Sequence, residues 1–508
     1  MKNPSMKSGR AAAKKAGRRL FRLALACFSL LLLPLGTLAA DEADALGPRI
    51  DALFLREMKA AGIPCAAVAI TKDGELVYAQ GYGEARRGVK AGADTPFYIG
   101  SVTKSMSALG LMILVEEGKV DLEAPVTAYL PFFRMADPRF AGIKVSDLLR
   151  QCSGLSTLQG MSYLGDPARV TMRDLIARLG PRKLASAPGT RYAYSNYNYV
   201  LVGAIIEEVS GLPYARFMEE RVFAPLGMAM TSASRGTSER NGLAEGSRGF
   251  FSWTLRGQVG YPEGAVPEGY VASSARDMGA YLAFMQRHGT SPDGGRILSA
   301  EGIARMTSAQ AAGAPYGYGW AITPRGYYHA GEDAGFVSLV FTIGSYPGWG
   351  CAILLGKSDS TAETAGLSLT RGFEIGIGGI LGLPEAPPPP PAPWGRYRLL
   401  AGFAAALILC AMALSILALA RRGRAKEEGR PSGKWKRRAS AGAAVLLHLA
   451  LPLAILLFPL WAGIPWSTML AFSPDFPPLL LAFAILELLL GAARLATAGK
   501  RGMAGTHS

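Results

Sequence analysis

Ser101-Val102-Thr103-Lys104 is the single Ser-x-x-Lys tetrad in a chain of 508 residues. If the segment is helical, the hydroxyl sits in the first turn and the amine one turn later on the same face. A desolvated lysine beside a serine can act as its base, and a helix N-terminus favours the negative charge that develops on the attacking oxygen. A chain of this length contains about one such tetrad by chance, so the spacing gains weight only from its setting. Tyr192-Ala193-Tyr194-Ser195-Asn196 places a phenol able to shuttle a proton two residues from an amide able to orient a substrate. Taken alone, that segment is equally an aromatic-rich loop. His329-Ala330-Gly331 joins an imidazole to a glycine that lets backbone N–H groups approach a carbonyl, although a lone histidine is more often a packing residue.

The elements that must position these groups are visible in the hydropathy pattern. Val102, Met106, Leu109 and Ile113 recur at helical spacing across residues 101–117, the run is apolar nearly all round, and it stops at Gly118. That describes a buried central helix with Ser101 at its start. Apolar runs at 66–70 and 76–80 flank Asp73-Gly74, a hairpin signal. Shorter helical patterns follow at 146–149, 171–179, 199–209 and 214–222, then one at 274–287. Strands are expected at 316–322, 327–329, 336–343 and 351–355, with a last helix near 362–379. Strands first and last with helices between them predict an α+β domain whose antiparallel sheet is completed by both ends and roofed by a helical insert.

Taken together and in this order, the three clusters resemble the active-site triplet of serine β-lactamases and penicillin-binding proteins. The likeness is to the class C β-lactamase-related branch of serine hydrolases, with Tyr-x-Asn at Tyr194 and Asn196 and His-x-Gly at His329 and Gly331. Its flanks carry the resemblance further: Phe97-Tyr98-Ile99-Gly100, Glu117-Gly118-Lys119-Val120-Asp121-Leu122, Leu130-Pro131, Ser153-Gly154-Leu155 and Pro188-Gly189-Thr190. Gly203 to Gly211, Pro225-Leu226-Gly227-Met228 and Tyr316-Gly317-Tyr318-Gly319-Trp320 extend it over roughly residues 44–382. The resemblance implies a β-lactamase/transpeptidase-like fold, an antiparallel sheet flanked by helices with a helical subdomain. It implies Ser101 as the acylated nucleophile, Lys104 as its base, and Tyr194 as acid/base for the leaving group and the deacylating water. Asn196 would orient substrate, His329 and Gly331 would line the pocket, and the N–H groups of Ser101 and Glu332 would form the oxyanion hole. No metal and no cofactor are called for, and the substrate is a small molecule or peptide.

Two departures stand out. Gln151-Cys152 replaces the family's usual His-Thr before Ser-Gly-Leu, which bears on local packing. After His329 the Lys and Thr of β-lactamases are absent, and Glu332-Asp333 follow. Like-charge contact disfavours an anionic ligand, so neutral esters or amides are expected over β-lactams and D-Ala-D-Ala termini.

Composition bounds the rest. With 50% hydrophobic residues the chain can bury a large core, which excludes a disordered chain or a disulfide mini-fold. The net charge of +16 suggests nucleic acid, yet the excess lies at the ends, and residues 41–395 carry 32 basic against 34 acidic groups. A basic groove has little to build on, and membrane topology accounts for the charge. Residues 1–40 read as an export signal: eight basic and no acidic residues to Arg22, an apolar run at 23–35, and a small-residue cleavage region ending at Ala39-Ala40. The serine hydrolase domain would occupy 41–383.

Seven prolines within 384–393 make a semi-rigid linker, 384–397. The region 398–495 would hold three transmembrane helices at about 399–420, 441–460 and 476–493, before a tail at 496–508. The basic loop between the first two is expected in the cytoplasm, as is the C-terminus; the catalytic domain is then extracytoplasmic, in a periplasm or outside the cell. His448 and Glu487 fall at similar depths in the second and third spans and are expected to pair. Cys65, Cys152 and Cys351 are odd in number and lack metal-like spacing, which suggests buried small hydrophobes.

The exported domain has two histidines, His288 and His329, and no His-x-His or His-Glu-x-x-His, which argues against a zinc hydrolase; a Gly-x-Ser-x-Gly elbow is absent, and Gly356-Lys357-Ser358 lacks the upstream P-loop glycine. The expected protein is a multi-pass, cell-envelope serine hydrolase cleaving an ester, amide or peptide bond through an acyl-enzyme. The alternative is a non-turnover receptor or scaffold for a β-lactam or cell-wall fragment. Oligomeric state is left open.

Overall fold

The computed structural model describes residues 35–164, 169–251, 253–257, 260–309, 315–343, 348–359, 368–382, 394–427, 445–462 and 466–504. The expected export segment through residue 34, the proline run at 384–393, the basic loop from 428 onward, residues 441–444 of the second span and residues 362–367 of the last domain helix lie outside them. The chain divides into two compact units, Met1–Ala52 and Leu53–Ser508. The first is described only by its share of helix α1, Leu35–Ala61. No element is expected at the end of this helix from turn or strand signals, yet Leu53, Phe54, Met58 and Ala61 are buried at helical spacing.

In the second unit the strands are β1 (Cys65–Lys72), β2 (Glu75–Arg86), β3 (Val89–Lys90), β4 (Phe97–Tyr98), β5 (Ser247–Phe250), β6 (Trp253–Arg256), β7 (Ala272–Ser273), β8 (Ala321–Thr323), β9 (Gly326–Asp333), β10 (Phe336–Ile343) and β11 (Trp349–Leu355). The helices that matter to the site are α2 (Thr103–Glu116), α3 (Asn196–Ser210), α4 (Val266–Gly269), α5 (Ala275–Gln286) and α6 (Arg371–Ile380). Seven strands form one antiparallel sheet in the order β3-β2-β1-β11-β10-β9-β8. The expected sheet built from both ends of the domain is therefore present, with Ala66 paired to Tyr82 on one side and to Leu355 on the other. Asp73 and Gly74 both take positive φ, 51° and 82°, as a two-residue hairpin turn requires.

β1 is buried from Cys65 to Thr71 because helices cover both of its faces. On one face α5 lies so close that a Cβ on Gly279 would meet Leu76 Cδ1 at 2.5 Å and Ala69 Cβ at 3.3 Å. On the other, Phe54 stacks on Tyr82 at 4.8 Å and meets Phe373 of α6 at 4.6 Å. The helical insert, with α3 and short helices at Val145–Leu149, Met172–Ala177 and Tyr214–Met218, sits between α2 and α5 in sequence. The strand expected at 316–322 is mostly a turn: Tyr316 bridges Ala321, and β8 begins only there. The cause is Gly319, φ 76°, whose Cβ would strike Ser105 Cα at 2.5 Å, so the segment folds down onto the backbone of α2. Cys65, Cys152 and Cys351 are buried thiols, and burial pushes Cys65 up to about 12.

Beyond the domain lie α7 (Trp394–Glu427), α8 (Leu451–Ala462), α9 (Trp466–Phe472) and α10 (Phe476–Ala504). Leu399–Leu417 and Phe476–Ala493 are long and apolar enough to cross a membrane, and Leu446–Trp461 with Trp466–Phe472 makes a third candidate bent by 88°. The connection between the second and third expected spans thus contains a helix, Trp466–Phe472. His448 Nδ1 lies 2.6 Å from Glu487 Oε2, as the matched depths suggest, and Gly491 leaves room for the histidine, since a Cβ there would stand 2.9 Å from His448 Cβ.

Candidate active site

Ser101 is the middle residue of a 3₁₀ turn, Gly100–Val102, that runs straight into α2. Twelve of the fourteen α2 residues are buried, among them Lys104, which is 0% exposed. A buried ammonium without partners would cost several kcal/mol, about the scale of the fold's whole stability, so its contacts decide what it is for. Lys104 Nζ donates to Ser101 Oγ at 2.9 Å, to the Glu268 carbonyl at 2.6 Å and to Glu268 Oε2 at 3.0 Å. The Tyr194 ring centroid is 5.0 Å from the same nitrogen. Burial pulls the Lys104 pKa down, and Tyr194 and then Glu268 more than reverse this, leaving it above the ordinary lysine value.

Glu268 is the site residue that sequence spacing does not reveal. It sits on α4, which wedges between α2 and α3: the Pro267 carbonyl accepts from Ser107 Oγ at 2.5 Å, and a Cβ on Gly203 would strike Pro267 Cγ at 2.2 Å. Nothing in Val266-Pro267-Glu268-Gly269 marks a functional carboxylate, because its partner is 164 residues earlier.

Tyr194 and Asn196 are held by the same segment that departs from the family pattern. Gln151 adopts φ 60°, accepts from the Ser195 N–H at 2.9 Å and from Asn198 Nδ2 at 2.5 Å, and its carbonyl accepts from the Ala193 N–H at 2.9 Å. The buried Gln151 side chain thus fixes the Tyr-x-Asn segment, and the departure at this position is its signal. Helix α3 starts at Asn196, three residues earlier than expected, so Asn196 is 6% exposed, and its Oδ1 accepts no hydrogen bond among the described residues.

His329, Gly331 and Asp333 alternate along β9 and share the face that carries α5 and the insert, in register with Val340, Ser338 and Phe336. His329 Nδ1 lies 2.7 Å from the Ala330 carbonyl, which can only accept, so Nδ1 carries the proton and Nε2 accepts from the Tyr316 hydroxyl at 2.9 Å. Burial, reinforced by Lys104, pushes its pKa down to about 3, which leaves a neutral ring. The Tyr194 and His329 rings are 6.3 Å apart.

Gly331 and Gly100 bring β9 against the turn that bears Ser101. A Cβ on Gly331 would meet the Ile99 carbonyl at 2.0 Å, and one on Gly100, φ 50°, would meet Glu332 N at 2.5 Å. The backbone N–H of Glu332 therefore lies beside the Ser101 turn, while its half-buried side chain falls on the opposite face of β9. The expectation of two repelling acids changes accordingly. Asp333 is the one on the active-site face, buried at 5% exposure, and burial with the nearby Glu268 raises its pKa well above the usual carboxylate range, which favours the neutral form.

A sequence profile described as Beta-lactamase matches residues 50–367, well over half of the chain. The chain belongs to the beta-lactamase family. This beta-lactamase-family chain is 29% identical over 359 residues to Penicillin-binding protein 4 of Amycolatopsis lactamdurans, covering 65% of this chain and 90% of that one. It is 34% identical over 202 residues to Esterase EstB of Burkholderia gladioli, covering 37% of this chain and about half, 51%, of the esterase. Among solved structures, D-amino acid amidase from Ochrobactrum anthropi SV3 superposes with a TM-score of 0.56 at 25% identity, over 66% of this chain and 98% of the amidase. The octameric penicillin-binding protein homologue from Pyrococcus abyssi gives 0.55 at 26%, over 66% and 77%. The family and fold are those of β-lactamase-related serine hydrolases, as the triplet implies.

Proposed function

We propose that this family member is a membrane-anchored, extracytoplasmic serine hydrolase that opens an ester, amide or peptide bond through an acyl-enzyme on Ser101. The observation that carries this is the 2.9 Å contact between Ser101 Oγ and a fully buried Lys104 at the start of α2. Ser101 attacks the carbonyl, with Lys104 as the path for its proton, and the N–H groups of Ser101 and Glu332 receive the oxyanion. Tyr194 protonates the leaving group and later relays the proton of the deacylating water. Asn196 offers its buried amide to the substrate, and His329 and Gly331 form the wall on β9.

The wall at His329 is neutral, so it offers no charge to a substrate carboxylate. Neutral esters or amides are accordingly preferred to β-lactams. The names of the relatives, an esterase, an amidase and a penicillin-binding protein, span that range. Membrane anchoring rests on the two or three apolar helices and on the basic residues clustered in the signal, the first loop and the tail. Its sidedness is supported by the α8–α10 connection, which meets the catalytic domain: Thr468 Oγ1 donates to the Met161 carbonyl at 2.6 Å, and Asp475 Oδ2 accepts from the Phe251 N–H at 3.0 Å.

The test is to treat the full chain in detergent, and its Ser101→Ala variant, with a fluorophosphonate probe, a fluorescent penicillin and a p-nitrophenyl ester. Ser101-dependent ester turnover, faster than cephalosporin turnover, is expected. Labelling of Ser101 that persists without turnover would replace the hydrolase by a receptor, and a kcat/KM higher for the cephalosporin would overturn the substrate preference.

A further inference from the structure

The nucleophile's lysine has a carboxylate partner that the Ser-Lys-Tyr scheme does not use. Glu268 is 2% exposed, and its Oε2 lies 3.0 Å from Lys104 Nζ, while Ser101 Oγ lies 2.9 Å from the same nitrogen. A surface carboxylate this close would be a weak, screened contact. Both groups here are enclosed, so neither charge is stable without the other, and a Lys104 held as ammonium has no lone pair with which to take the proton of Ser101. The base has to be regenerated within the pair.

We propose that Glu268 is a positioning residue acting through Lys104: it holds the amine against Ser101 and takes a proton from it as Lys104 takes that of Ser101. The inference rests on the acyl-enzyme reading above. The Ser101 O–H bond breaks as Oγ bonds to the acyl carbon; its proton passes to Lys104 Nζ, and an Nζ proton passes to Glu268 Oε2. Lys104 ends the step as ammonium and Glu268 as a neutral acid beside the oxyanion. When the carbonyl reforms, the leaving group takes the Tyr194 proton, Tyr194 recovers one from Lys104, and Lys104 recovers its own from Glu268. Ser101 is then acylated and every other group is restored.

The surroundings favour such a transfer. Among the described residues, the titratable groups that interact electrostatically with Glu268 are Lys104 from α2, Tyr163 from the insert, Asp333 from β9 and Tyr270 from the segment after α4. Burial raises the Glu268 carboxyl pKa against the opposing pull of Lys104 and then Tyr163, which makes this carboxylate a better proton acceptor than an exposed one. Asp333, favoured as the neutral acid, leaves Glu268 as the negative partner of the ammonium. The geometry also separates two roles of one residue, since the Glu268 carbonyl binds Nζ at 2.6 Å whatever its side chain is.

The experiment is the pH dependence of kcat/KM for p-nitrophenyl acetate, with the rate of fluorophosphonate labelling beside it, in the detergent-solubilised full chain. Wild type, Glu268→Gln and Glu268→Asp are compared, with Ser101→Ala as the blank. In wild type the acid limb reports ionisation of the Lys104–Glu268 pair as a unit. In Glu268→Gln, Lys104 must lose a proton to solvent before it can act, so the acid limb moves to higher pH, and kcat/KM at neutral pH falls about 10²-fold with KM little changed. Glu268→Asp is expected to keep the limb near its wild-type position at a reduced rate. A Glu268→Gln profile lowered equally at all pH, or unchanged, overturns the proposal.

Should Glu268→Gln fail to fold, wild type alone decides, because two protons in flight give a curved dependence of kcat/KM on the deuterium fraction of the solvent. A straight line overturns the proposal. Loss of Ser101-dependent reaction in wild type itself would instead overturn the hydrolase reading and this one with it.

Discussion

At the scale of single residues, burial rather than identity assigns the roles. His329 is an imidazole on the pocket wall, yet it donates through Nδ1 to the Ala330 carbonyl and accepts from Tyr316, and burial pushes its pKa down to about 3. It contributes no activity limb around pH 6.5. It does shape stability: with the folded pKa below the unfolded value, the unfolded chain binds the proton first as pH falls. The folded state is therefore at full strength above about pH 6.5 and weakens toward pH 3. Urea unfolding at pH 7 and pH 5, followed by tryptophan fluorescence, should show wild type losing about 2 kcal/mol more than His329→Gln over that interval. Equal losses would mean that His329 is protonated in the folded state. Lys104 presents the opposite case, a charge kept in the interior because Glu268 and Ser101 satisfy it.

At the scale of elements, the site exists because three backbones approach more closely than side chains allow. Gly100 and Gly331 let the Ser101 turn touch β9, and Gly319 lets the Tyr316–Trp320 turn rest on α2. Gly100 combines a positive φ with a Cβ that would fall 2.5 Å from Glu332 N. Gly100→Ala should destabilise the fold by about 1–3 kcal/mol and push the Glu332 N–H away from the oxyanion position. The expected readout is a kcat/KM lower by at least tenfold with a Tm several degrees lower; an unchanged kcat/KM would remove the Glu332 N–H from the mechanism. Hydropathy spacing exposes α2, α5 and the Asp73-Gly74 hairpin because each obeys a local period. It misplaces 316–322, where aromatic residues mimic a strand but the intervening glycines serve a tertiary contact. It also starts α3 three residues late, because Asn196 looks like part of a loop until its helix is seen.

At the scale of the whole molecule, charge and hydropathy separate a nearly neutral catalytic domain from basic ends with long apolar stretches. The α8–α10 connection carries no basic residue and touches the domain at Met161 and Phe251. Placed outside the cytoplasm, it would leave the 421–438 loop and the tail inside. Fluorescent-protein fusions after residue 438 and after the last residue should therefore fluoresce, and an alkaline phosphatase fusion after residue 462 should be active. The reverse pattern would invert the topology and remove the catalytic domain from the envelope.

What the sequence determined by itself is whatever depends on neighbours along the chain: the helix that presents Ser101 and Lys104, the alternation that puts His329 and Gly331 on one face, the apolar lengths and the charges between them. The pairing of β1 with β11, the hold of Gln151 on the Tyr194 segment and the placement of Glu268 against Lys104 were decided only by the tertiary structure. Each joins residues from 44 to almost 300 positions apart. No periodicity records such a contact, because its energy comes from enclosing charges and backbones that meet only once the whole domain has closed around them.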